Sequence, residues 1–80
     1  MDRAALDAAL LAAHDRDDRA ALIDLYTRAA DTSEAGGDTD AACFYLTHAF
    51  VFAFEAGAPE AMTLNSRLVA NGRATPLEAT

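Results

Sequence analysis

The sequence predicts an all-α fold of four antiparallel helices in a single small domain. Three observations predict it. Alanine fills 21 of the 80 positions and leucine 9, whereas valine and isoleucine together fill only 3. β-branched residues are the usual strand material, so this balance favours helix. Apolar residues recur at i, i+3, i+4 and i+7, the spacing of one helix face. Glycine, proline and aspartate clusters then cut the chain into four such segments. At 52% hydrophobic residues the chain is globular rather than disordered. Its length lies near the low end of what folds alone.

The first helix is expected over roughly Asp2 to Ala13. Asp2 is a plausible N-cap, and Leu6, Ala9, Leu10 and Ala13 share one face. The run His14-Asp15-Arg16-Asp17 breaks the pattern. Asp15 or Asp17 then caps a second helix, roughly Asp17 to Ala35. Its stripe is Leu22, Leu25, Tyr26 and Ala29, with Ile23 and Ala30 at one margin. Gly36-Gly37 stops it. Asp38 or Thr39 opens a third helix that runs to about Ala56, and Gly57 ends it. A fourth runs from about Pro59 to Asn71, with Glu60 at its positive end and Gly72 as its stop. Ala61, Leu64, Leu68 and Val69 form its stripe. Residues 73–80 read as a flexible C-terminal tail, although Thr75-Pro76-Leu77-Glu78 has the pattern of a helix start. The connections are short, so neighbouring helices should be antiparallel.

The third helix is apolar nearly all round when its residues are placed at about 100° each. Ala42, Leu46, Ala49, Phe50 and Ala53 make one face, flanked by Tyr45 and Phe52. The opposite side carries Phe44, His48, Val51 and Glu55, with Phe54 and Cys43 at its edge. Two readings of that second face stand side by side. Either the first helix folds back over it, or Phe44, His48, Val51, Phe54 and Glu55 meet a partner.

Composition excludes several classes of function. The net charge is −7, with 13 carboxylates against six arginines and no lysine. Direct nucleic-acid binding needs clustered cations, and Arg3, Arg16, Arg19, Arg28, Arg67 and Arg73 are scattered. Without lysine there is no Schiff-base chemistry and no P-loop. A single cysteine, Cys43, forms no internal disulfide and points to a reducing compartment. The first residues lack a basic-then-apolar signal pattern. The longest apolar-rich stretch, Ala41 to Phe54, is shorter than the about 20 residues of a membrane span. These readings predict a cytoplasmic chain with no membrane insertion.

No catalytic set, metal site or cofactor site emerges. His14 reads as a turn residue ion-paired to Asp15. Cys43 and His48 lie about 140° apart around their helix, so they do not face one metal. Ser33 and Ser66 lack the glycine frame of a nucleophile elbow. Gly36-Gly37 reads as a helix stop, and Cys43 as a small apolar filler.

One stretch resembles a known family. Gly37, Ala42, Leu46, Ala49 and Phe50 stand in the order found in the second helix of a tetratricopeptide repeat: turn glycine, small, large, alanine, large. In the preceding helix Tyr26, Ala29 and Ala30 resemble the large-then-small positions of the repeat's first helix. Ser33 stands where tyrosine is common, and Pro59 falls later than the family's closing proline. The third helix is therefore longer than in the standard 34-residue unit. The resemblance covers about residues 20–72 and implies tetratricopeptide-like helical hairpins. A plain four-helix bundle is the alternative.

What the resemblance implies is a non-catalytic protein–protein interaction module: an adaptor, an assembly factor or an accessory subunit. The subset that grips C-terminal carboxylates through lysines is not expected in a lysine-free chain. Such repeats need roughly three units for stability. Fewer than two here predict a homodimer or a protein partner that covers Phe44, Val51 and Phe54. The alternative function, drawn from size and acidity, is a small regulator or inhibitor of a DNA-binding protein or toxin.

Overall fold

The computed structural model describes residues 2–75. These form four helices and no strand: α1 (Arg3–Asp15), α2 (Arg19–Ala35), α3 (Thr39–Glu55) and α4 (Glu60–Ala70). They lie side by side in chain order as consecutive antiparallel hairpins, in a slab of 38 × 29 × 13 Å. The pairing of α2 with α3 is the most extensive; α1 packs on the former and α4 on the latter. Among the described residues α1 and α4 do not meet, so the four helices form a row rather than a closed ring.

The turns share one design. Each of the first three helices opens behind an aspartate whose carboxylate accepts from the backbone N–H three residues on: Asp2 from Ala5, Asp18 from Ala21, Asp38 from Ala41. The second helix thus starts at Arg19, two residues after the expected Asp17, and its cap is Asp18 rather than Asp15 or Asp17. Asp17 instead takes the left-handed conformation, φ 56°, that Gly37 takes with φ 81°. In both turns the following aspartate N–H reaches back to the carbonyl five residues earlier, Asp18 to Ala13 and Asp38 to Ser33, each at 2.9 Å. Gly57 and Gly72 close α3 and α4 with the same bond pattern.

The core follows from alanine on facing helix surfaces. Ala30 on α2 and Ala49 and Ala53 on α3 are fully buried, which lets the axes approach closely around Leu46. Leu64 and Leu68 of α4 complete this cluster. A second cluster joins Ala13, Leu6 and Leu10 of α1 to Leu22 and Leu25 of α2. Full burial of one such leucine contributes roughly 1.5–3 kcal/mol.

Three placements differ from the sequence expectation. Ile23 and Ala30 are core residues rather than margin, because α2 is sandwiched between α1 and α3 and buries two faces. Cys43 is buried at 3% exposure, since α4 covers the edge of α3 on which it sits. Phe50 is only half-buried and stacks on Phe54 at 5.8 Å. After α4, Arg73 and Ala74 fold back. The Arg73 guanidinium pairs with Asp40, Ala74 packs on the core, and the Asn65 amide donates to the Thr75 carbonyl. The helix-start pattern over residues 76–78 lies outside the described residues.

Candidate functional site

The outward sector of α3 is an uncovered apolar stripe. Phe44, Val51 and Phe54 keep 58%, 44% and 57% of their surfaces exposed. Covering by the first helix, one of the two readings of this face, does not occur. Leu22 and Leu25 draw α1 onto α2, and among the described residues α1 and α3 meet through side chains alone. Val51 and Phe54 follow Phe44 by 7 and 10 residues, which places Val51 about 20° and Phe54 about 80° around the helix from it, with Phe54 at the edge of the face beside Phe50. Glu55 is exposed at the end of this stripe.

Charge on α3 has one sign. Asp40 and Glu55 are its charged residues, and it carries no arginine or lysine. They bracket the stripe about 22 Å apart along the axis. Asp40 accepts from Arg73 at 2.6 Å, while Glu55 forms no ion pair among the described residues.

His48 leads from this stripe into an aromatic cluster that sequence reasoning did not anticipate. It meets Phe44 edge-on at 4.7 Å and stacks on Tyr26 of α2 at 5.0 Å. Tyr26 also lies near Phe52 at 6.0 Å and Tyr45 at 6.3 Å. From the other side His14 of α1 places Nε2 3.2 Å from the Tyr26 hydroxyl and its ring 5.8 Å from Phe52. His14 therefore occupies the last turn of α1 with Tyr26 as its partner, not a turn with Asp15. Both histidines and both tyrosines of the chain are in this cluster. Burial, and secondarily Tyr45, pushes the Tyr26 hydroxyl above its ordinary pKa. The available signal was position: Tyr26 is the one aromatic residue of α2, on the same stripe as Leu22 and Ala29.

Beside the cluster a shallow groove of about 210 Å³ runs between α1 and α3 over α2. Leu6, Ala29 and Tyr45 line it with Arg3 and Arg28 at the rim. Each arginine is engaged one turn away, Arg3 with Asp7 at 3.8 Å and Arg28 with Asp24 at 3.0 Å. The volume falls below the roughly 300–1,000 Å³ of small-molecule pockets. Among the described residues no three histidine, cysteine or carboxylate side chains are placed to hold a metal ion. No helix among them is long and apolar enough to cross a membrane.

The fold and this surface define a class of object: a short row of helical hairpins with one apolar, acid-flanked helix face turned outward. The chain matches no protein-family model, no curated protein and no solved structure.

Proposed function

We propose that the chain is a non-catalytic protein–protein interaction module, serving as an adaptor, assembly factor or accessory subunit of a larger complex. The single observation that carries this reading is the uncovered stripe Phe44, Val51 and Phe54. A helix that buries one face and exposes large apolar side chains on the other has its second face free for a partner. The architecture supports the same reading. Consecutive hairpins in a row leave helix faces open along their length, as the tetratricopeptide-like resemblance implies. Acidity supports a protein partner over direct binding to nucleic acid. A lone, buried cysteine thiol supports a cytoplasmic setting.

The test is affinity purification from the native host with two baits, the natural chain and Phe44→Asp, followed by mass spectrometry. The reading expects a protein retained by the first bait and lost from the second. Identical recoveries, with both baits equally folded by circular dichroism, would overturn it.

A further inference from the structure

We propose that the partner surface on α3 takes a cationic amphipathic helix, with its apolar face on Phe44, Val51 and Phe54 and its basic residues toward Asp40 and Glu55. This deepens the interaction reading above and rests on it. Shape comes first. Phe44 to Phe54 spans about 15 Å along α3, the rise of roughly three helical turns. The three side chains fall within about 80° around α3, an apolar face of the width matched by the i, i+3, i+4, i+7 anchors of another helix.

Charge then decides the occupant. The stripe is bracketed by carboxylates, Asp40 before it and Glu55 after it, and α3 offers no cation. Glu55 forms no ion pair among the described residues, so an incoming lysine or arginine displaces no existing partner there. Asp40, with its side chain 89% exposed, shares its charge with Arg73, 45% exposed, a pair that water already screens. A second copy of this chain is the poorer occupant. Antiparallel contact of α3 with its own copy sets Glu55 beside Phe44 and Asp40 of the other chain, and each copy brings a net charge of −7. Like charges across an interface select against that pairing.

Three synthetic peptides of equal length test the proposal. One carries leucines at helical spacing with lysines elsewhere; the second has glutamate for each lysine; the third scrambles the first so that no apolar face forms. Binding is followed by fluorescence anisotropy and by amide chemical shifts of the full chain. The lysine peptide is expected to bind, to shift the amides from Phe44 to Glu55, and to weaken at least about tenfold on Phe44→Ser combined with Val51→Ser. Glu55→Gln is expected to weaken it a few-fold and to flatten its salt dependence, with the fold untouched because this side chain is exposed. Equal binding of the glutamate peptide at the same amides would overturn the cationic partner and leave the interaction face standing. Shifts confined to Asp15 and Asp17, or equal binding of the scrambled peptide, would overturn the stripe as the site. Absence of any binding would overturn the cationic-helix occupant, while the interaction reading stands or falls on the two-bait purification. A dimer by sedimentation that Phe44→Ser dissociates would replace the proposed partner with a second copy.

Discussion

His14 Nε2 lies 3.2 Å from the hydroxyl of Tyr26, which ties the last turn of α1 to the middle of α2. On its other side the Tyr26 ring stacks on His48 of α3 at 5.0 Å. One side chain thus holds three helices in register, and the two core clusters share it together with Phe52.

Replacing Tyr26 with phenylalanine keeps the ring stack and removes the hydroxyl. A loss of about 1 kcal/mol is expected, the usual worth of one hydrogen bond, read from urea unfolding. Burial raises the pKa of Tyr26 in the folded chain. A raised value stabilises the fold below the unfolded tyrosine pKa of about 10, and that contribution fades as pH climbs through the folded value. In ultraviolet titration, the ionisation lost in Tyr26→Phe should lie above the ordinary tyrosine value. A Tyr26 hydroxyl ionising at the ordinary tyrosine value would contradict the burial argument.

Asp17 and Gly37 occupy equivalent turns with φ of 56° and 81°. Only the first carries a Cβ in a conformation that disfavours one. Asp17→Gly is expected to stabilise by roughly 0.5–1 kcal/mol, and Gly37→Ala to destabilise by about 1 kcal/mol. No atom lies within 4 Å of a Cβ built on Gly37, so this cost is conformational rather than steric. Unfolding midpoints of the two variants should move in opposite directions; movement in the same direction would argue against the shared turn geometry.

Leu46 and Phe44 stand two residues apart on α3 and differ in burial, 0% against 58% exposed. Leu46→Ala is expected to cost about 2–5 kcal/mol through lost packing and a residual cavity. Phe44→Ala should cost under about 1 kcal/mol, the loss of its edge contacts with Tyr45 and His48. Thermal denaturation separates the two, and a Phe44 variant that unfolds like the Leu46 variant would show the stripe to be structural.

Asp18 caps α2, and its pKa is lowered first by the Ala21 N–H and then by Arg16. A lowered folded value means its stabilisation is complete above the unfolded pKa of about 3.9 and is lost as pH falls through the folded value. Asp18→Asn keeps an acceptor for the Ala21 N–H without a titrating charge. The stability difference between the natural chain and this variant should be flat near neutrality and shift against the natural chain in acid. A difference independent of pH would show that the charge contributes nothing.

Much of the architecture was legible in the chain because it is encoded locally. Asp38, Gly37, Gly57 and Gly72 act through their own backbone bonds, so the ends of α3 and the stop of α4 lie within a residue or two of where the pattern places them. Leu46 and Ala49 follow from spacing alone. The start of α2 was less legible because Asp15, Asp17 and Asp18 are chemically equivalent candidates, and only the bond from Ala21 N–H selects Asp18. The aromatic cluster was legible only in pieces. Phe44, His48 and Phe52 recur every four residues on α3, but no spacing along one helix relates them to His14 on α1 or Tyr26 on α2.

The sequence by itself determined four helices, their stops, and the excess of apolar surface on α3, because propensity, capping and periodicity depend on near neighbours. Only the tertiary structure decided which surface stays open. Leu22 and Leu25 draw α1 onto α2 while α4 covers the Cys43 edge of α3. Burial of one apolar face by the largest available neighbour is a contest among elements far apart in the chain. Its outcome leaves Phe44, Val51 and Phe54 facing outward.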